Sequence, residues 1–303
     1  MSAIIELLKA LLFGIVEGIT EWLPISSTGH MLLLEKFVVL DVSPAFWHMF
    51  LVVIQLGAIL AVCVSFFKEL NPFAFALTKA QRNSIWAMWA KIIVACIPAA
   101  VIGIPLDDWM DEHLGIPFVI AAALVVYGVV FLCLKDSQGD LSVRAAKHAK
   151  VESSALQKRT FLDKRVTTQT MDKLSWKQTI GIGCFQVLSI IPGTSRSGST
   201  IIGALLMGCS RSVAAQFTFY LAVPVMVGAS GLRLVKFFIK GNMFSAMEAS
   251  TLVVGCLVAF LVSMAVVKFL MGYIKRHDFS LFGWYRIMLS ICCLLYTSPS
   301  PRD

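Results

Sequence analysis

The strongest constraint on this chain is a pair of matching polar segments, each embedded in a run apolar enough to enter a lipid bilayer. Residues 14–30 read GIVEGITEWLPISSTGH, and residues 183–199 read GCFQVLSIIPGTSRSGS. At a constant offset of 169 residues, Gly14 meets Gly183, Glu17 meets Gln186, Ser26 meets Ser195, Ser27 meets Arg196, Thr28 meets Ser197 and Gly29 meets Gly198. Carboxylates, an imidazole and a guanidinium are expensive in hydrocarbon, so their concentration at the two repeated points marks both as functional by default.

The rest of the chain fits a bilayer. With 58% hydrophobic residues, 15% charged residues and a mean hydropathy of +0.81, it cannot cover a soluble globule with polar surface, which implies an all-α integral membrane protein. The net charge of +8 gathers in loops, where it sets membrane orientation and implies no nucleic-acid partner. The eight cysteines lie in apolar segments without CxxC or His/Cys metal spacing, as packing residues do. The N-terminus lacks the basic n-region and small-residue cleavage site of a removable signal peptide.

Six stretches are long enough to span: 47–67, 86–104, 117–134, 213–232, 252–270 and 281–296. The repeated motifs lie outside them, in apolar segments 4–37 and 176–207, each interrupted by Pro and Gly. Broken backbone at membrane depth requires burial in protein or a wet cavity, which predicts two re-entrant helix-loop-helix hairpins. Residues 1–303 thus form a single membrane domain with a first repeat at 1–134, a cytoplasmic polar loop at 135–175, a second repeat at 176–296 and a polar tail at 297–303, TSPSPRD, that reads as truncated or foreign. Three spans per half make the second half inverted, with both hairpins meeting near the midplane. Lys68, Lys79, Arg82 and Lys91 bound the loop after the first span, the acids Asp107, Asp108, Asp111 and Glu112 fill the next, and the 135–177 loop is basic. This distribution puts both termini outside, against Arg233, Lys236 and Lys240 on the same side.

Glu17 and Glu21 stand one helical turn apart on one face, where they can hold a divalent cation or divide metal and base roles. If both lay at an interface they would merely snorkel. Ser26, Ser27 and Thr28 precede an apolar half-helix, so Ser26 and Thr28 serve equally as N-caps or as part of an anion site at a helix N-terminus. His30 lies three residues after Ser27, within reach of a nucleophile-and-base or nucleophile-and-acid pair. Around Arg196, Ser195 and Ser197 pack hydroxyls beside a guanidinium fork that matches phosphate, or that pairs with Glu17 or Glu21 to tie the hairpins. Gln186 reads as support for its hairpin, Gln55 and His48 as interhelical hydrogen bonders, Arg211 as a cap or a snorkelling side chain, and Gly57, Gly228 and Gly231 as close-packing sites.

Through EGITEWLPISSTGH at residues 17–30 and PGTSRSGST at 192–200, the chain closely resembles the undecaprenyl-pyrophosphate phosphatase family, the bacitracin-resistance phosphatases of bacterial inner membranes. The resemblance implies an enzyme that hydrolyses the C55 lipid pyrophosphate at the periplasmic face, recycling the carrier for cell-wall synthesis. It implies Glu21, Ser27, His30 and Arg196 as catalytic residues. Ser26, Thr28, Ser195 and Ser197 would bind substrate, and Glu17 with Glu21 would hold Mg²⁺, Mn²⁺ or Ca²⁺. Membrane lipids and the lipid pyrophosphate are the expected partners, with a homodimer as an open assembly. Ser27 helped by His30 is the first choice of nucleophile, His30 itself or an activated water the alternatives. A secondary transporter also uses inverted repeats and broken helices, but has no need of a hydroxyl beside a histidine and two carboxylates.

Overall fold

The computed structural model describes residues 3–134 and 166–297. The 135–165 part of the polar loop and residues 298–303 of the tail lie outside these. The described chain is all-helical, with one isolated β-bridge between Thr168 and Cys209. In order come α1 (Ala3–Thr20), α2 (Ser27–Glu35), α3 (Pro44–Val53), α4 (Gln55–Ser65), α5 (Phe67–Leu70), α6 (Lys79–Leu114) and α7 (Pro117–Cys133). After the loop follow α8 (Trp176–Val187), α9 (Arg196–Leu206), α10 (Arg211–Ile239), α11 (Ala246–Tyr273) and α12 (Ser280–Thr297).

Seven of the twelve described helices start on a Ser or Thr cap. Thr78 with Gln81, Ser175 with Gln178 and Ser245 with Glu248 form reciprocal capping boxes at α6, α8 and α11. Ser43 caps α3 ahead of Pro44. Four helical stretches are long and apolar enough to cross a membrane: Pro44–Ser65, which α3 and α4 share, Lys79–Leu106 within α6, α10 and α11. The helices at Pro117–Cys133 and Ser280–Tyr296 are apolar but shorter. Each expected span therefore has a helix. One expectation changes: Asp107, Asp108, Asp111 and Glu112 sit on the continuation of α6, which passes Pro98 and Pro105 and stops only at Leu114. The first firm stop is Gly115-Ile116-Pro117, because the residue before a proline is pushed out of the α region.

The packing pairs the halves. The first helix of the first hairpin, α1, packs on α11, and its counterpart α8 packs on α6, while α7 lies against α12. A further seam joins α4 to α11, and it needs close backbone approach: a Cβ on Gly57 would run into the backbone of Cys256. Gly228 and Gly231, expected to do the same, have open space where a Cβ would stand and close no seam. They lie on an outward face of α10, and composition alone does not reveal which face a glycine takes.

Contacts at the two ends of the bundle orient the hairpins. Glu6 accepts from the Asp41 backbone N–H (2.9 Å), and Glu248 at the start of α11 accepts from the Ser43 hydroxyl (2.7 Å). The open end of the first hairpin thus shares one end of the bundle with the starts of α3 and α11. At the other end, Gln178 near the start of α8 donates to the Met207 carbonyl (3.0 Å), closing the base of the second hairpin, and Arg211 at the start of α10 donates to the His277 carbonyl just past α11 (2.7 Å). Arg211 is buried, so it ties two helix ends together rather than reaching outward. The base of the first hairpin therefore lies near the start of α11 and the base of the second near its end.

Candidate functional site

Each tip turns on a strained serine. Ser26 and Ser195, equivalent in the repeat, have φ of 72° and 68°, the only non-glycine residues with positive φ among those described. Side chains rarely adopt that region, at a cost of order 1–3 kcal/mol, and it persists where surrounding structure overdetermines it. Each hydroxyl caps the following helix: Ser26 Oγ accepts from the Gly29 N–H (3.4 Å) and Ser195 Oγ from the Gly198 N–H (3.2 Å). The N-termini of α2 and α9 are thereby delivered to one place, with N–H groups and positive dipole ends suited to an anion.

Three side chains form one chain of bonds across the tips. Ser27 Oγ donates to Glu21 Oε2 at 2.7 Å, and Arg196 donates to Glu21 Oε1 at 2.8 Å. The ion pair is almost buried, with 11% and 8% of the two side chains exposed. A pair so placed is costly to break, because either partner alone is an uncompensated buried charge. Arg196 also lies 5.9 Å from the Trp22 ring centroid, and Trp22 is wholly buried against Phe219. The guanidinium is therefore held from two sides.

The other expected residues divide. His30 does not pair with Ser27: its Nδ1 bonds the Ser26 carbonyl (2.7 Å) and its Nε2 the Tyr285 hydroxyl (2.8 Å). Ser197 is buried and donates to the carbonyls of Glu21 (3.2 Å) and Leu23 (3.4 Å), bracing one tip against the other. Ser195 exchanges a bond with Ser197 (3.1 Å) while capping α9. Thr28 is exposed at the start of α2. Gln186, the counterpart of Glu17, is buried and neither side-chain amide atom has a partner.

Sequence reasoning missed Arg286 and Tyr285 on α12. Arg286 is fully buried and donates to the carbonyls of Pro24 (3.2 Å), Gly193 (2.8 Å) and Thr194 (3.0 Å). Pro24 and Gly193 are themselves equivalent at the 169-residue offset, so one guanidinium ties the same carbonyl in both turns. Gly193 is obligatory there: its φ is +92°, and a Cβ would strike the backbone of Ile120. An arginine inside the sixth apolar stretch was the available signal.

Glu17 and Glu21 bring two carboxylates to one helix face. Glu17 is 1% exposed, and its Oε1 has no partner. It lies a turn from Glu21, whose backbone N–H continues the helical ladder to the Glu17 carbonyl (3.0 Å). Among the described residues no group of three or more His, Cys, Asp or Glu forms a closed cage. Two carboxylates one turn apart, one with a free buried oxygen, have the donor chemistry of a hard-cation site completed by oxygens from outside the chain.

A sequence model of the family described as "Bacitracin resistance protein BacA" matches residues 10–292, a range that contains every candidate site residue, from Glu17 to Arg286. Similar proteins include one from Enterococcus faecalis named undecaprenyl-diphosphatase, 52% identical over 297 residues, 97% of this chain and 98% of the relative. A protein of the same name from Streptococcus thermophilus is 51% identical over 293 residues, 97% of this chain and 94% of the relative. Another from Streptococcus equi subsp. equi is 47% identical over 293 residues, 97% of each.

Proposed function

Because the chain belongs to the bacitracin resistance protein BacA family, we propose that it is an undecaprenyl-diphosphatase, hydrolysing undecaprenyl pyrophosphate to undecaprenyl phosphate and inorganic phosphate. The observation that carries this is the Ser27–Glu21–Arg196 chain, with bonds of 2.7 and 2.8 Å, set where two helix N-termini converge. Phosphoryl transfer asks chiefly for positioning and neutralisation of charge. Arg196 and the first-turn N–H groups of α2 and α9 supply the positive field, and Glu21 stands ready to take a proton from Ser27. In this reading Ser27 Oγ attacks the terminal phosphorus, its proton passes to Glu21 Oε2 and on to the bridging oxygen of the departing prenyl monophosphate, and Ser27 is left phosphorylated. Glu21, again a carboxylate, then takes a proton from water as the water attacks the phosphoserine, and that proton returns to Ser27 Oγ as inorganic phosphate leaves. Glu17 with Glu21 would hold Mg²⁺, Mn²⁺ or Ca²⁺, which when bound neutralises charge on the phosphate oxygens.

Hairpins that enter from opposite ends and meet at the tips, with apolar helices packed around them, support a re-entrant inverted repeat with six spans. We place the protein in the bacterial inner membrane with its site served from the periplasmic side. There, recycling the lipid carrier would sustain cell-wall synthesis and confer bacitracin resistance. The test is phosphate release from a C15 or C55 prenyl pyrophosphate by detergent-purified protein, with and without each cation, beside Glu21→Gln, Ser27→Ala and Arg196→Ala. Cation-stimulated release lost in all three is the expected result. No release from folded wild type would overturn the phosphatase reading and leave anion transport in its place.

A further inference from the structure

We propose that His30 acts as a positioning residue for Ser27, not as its base, and that Tyr285 is the residue that holds His30 in this role. The first step is the tautomer. The Ser26 carbonyl can only accept, so His30 Nδ1 at 2.7 Å carries the proton and donates it. In the neutral ring Nε2 is then the acceptor, and the Tyr285 hydroxyl at 2.8 Å donates to it. Both nitrogens are committed, and neither addresses Ser27, whose own proton goes to Glu21.

The second step is what the bond on Nδ1 restrains. Ser26 is the strained residue at the tip, with φ 72°, and its carbonyl orientation fixes where the next residue, Ser27, begins α2. His30 reaches back one turn and clamps that carbonyl. The imidazole is itself fixed by stacking on the Tyr285 ring, centroids 5.6 Å apart and planes within 10°, as well as by the hydroxyl. Tyr285 is next to Arg286, which ties the Pro24 carbonyl two residues before Ser26. One turn of α12 thus holds the strained tip at two points. The second hairpin has Ser199 in the place of His30. Its hydroxyl donates to Tyr127 (3.0 Å), so it has no equivalent clamp, and it carries no nucleophile to position.

The proposal rests on the phosphatase reading only for its kinetic arm. Asn in place of His30 puts an amide N–H near the position of Nδ1 but offers no acid or base. His30→Asn is expected to keep turnover within about 10-fold of wild type, against about 100-fold loss in His30→Ala, the scale of a misplaced reacting group. Tyr285→Phe, which keeps the ring stack, should lower kcat about 5-fold with KM and thermal stability unchanged. It should have no further effect in His30→Asn. Equal inactivity of the Asn and Ala variants, or a wild-type kcat in Tyr285→Phe, overturns the proposal. A separate arm reads the ring directly: ¹⁵N NMR of labelled histidine in the intact protein, with His30→Asn used for assignment. A single Nδ1–H tautomer in wild type, with an Nε2 resonance that shifts toward that of a free acceptor nitrogen in Tyr285→Phe, supports the clamp, and an Nε2–H or mixed tautomer in wild type, or an Nε2 resonance unmoved by Tyr285→Phe, overturns it. If wild type releases no phosphate, the phosphatase reading fails while the NMR arm still judges the clamp.

Discussion

The two hairpins share a backbone and differ in chemistry. Both turn on a serine at positive φ that caps the next helix, and both give a turn carbonyl to Arg286. At matching positions the first hairpin has Glu17, Glu21, Ser27 and His30 where the second has Gln186, Ile190, Arg196 and Ser199. The repeated part is therefore the cradle, two helix N-termini aimed at one point. The diverged part divides the work: the carboxylates and the hydroxyl stand on the first tip, and the fixed positive charge stands on the second. Two copies of the first tip would have brought four carboxylates together with no cation of their own. Two copies of the second would have supplied positive charge without the carboxylates that oppose it.

The most direct way to break this division is Ser27→Ala, which takes the proposed nucleophile from the first tip and leaves the Glu21–Arg196 pair intact. Turnover should fall by at least about 10³-fold, or about 4 kcal/mol of barrier, with little change in thermal unfolding. Purified variant and wild type compared for initial rate and melting temperature decide it. A variant that keeps a tenth of wild-type turnover would place the nucleophile elsewhere. Next in size is Arg196→Lys on the second tip. An ammonium keeps the charge but loses the planar fork, so kcat/KM should drop about 10- to 100-fold, or about 1.4–2.8 kcal/mol, with part of the loss in KM. A loss confined to KM would reduce Arg196 to a binding residue.

Much of this division was legible because duplication leaves a signal in a single sequence. The constant offset located both tips, the Pro and Gly interruptions announced the turns, and charges inside apolar runs singled out Glu17, Glu21 and Arg196. Partner choice was not legible. Ser27 lies three residues from His30 and six from Glu21, and spacing favours His30; only the turn at residues 21–26 folds Glu21 back onto Ser27 and sends the imidazole to Tyr285. Arg286 and Tyr285 escaped for a related reason. They lie about 90 residues past the second motif, and a single polar residue in an apolar span says that it has a partner without saying which. The continuation of α6 past Pro105 and the open faces of Gly228 and Gly231 depend likewise on neighbours, which no local pattern encodes.

A swap at the Glu17–Gln186 pair sharpens the comparison further. Glu17→Gln gives both hairpins an amide there. With Glu17 and Glu21 as the proposed cation ligands, it should lower turnover about 10-fold and abolish cation stimulation, while stability holds or rises as a buried carboxylate is lost. The reverse change, Gln186→Glu, buries a carboxylate where the amide already lacks partners, and should cost about 1–3 kcal/mol of stability. Cation titration of activity and thermal unfolding read the two outcomes. Cation stimulation that survives Glu17→Gln would assign the cation to other ligands.

The smallest effects test whether the strained serines do more than shape the turns. At Ser26 and Ser195, glycine removes the hydroxyl but relieves the positive φ, which costs a side chain of order 1 kcal/mol or more. Loss of a serine N-cap to glycine costs only a few tenths of a kcal/mol. Ser195→Gly and Ser26→Gly should therefore both unfold at or slightly above the wild-type temperature, and their stabilities should not tell the two hairpins apart. Turnover should. If Ser26 and Ser195 only cap, each glycine variant keeps kcat and KM within about 2-fold. If the hydroxyls also touch pyrophosphate, each raises KM several-fold without loss of stability. A rise confined to Ser26→Gly would mean that the copies differ in how they meet substrate as well as in what they carry, since the cap bond, the dihedral angle and the place in the turn are common to both.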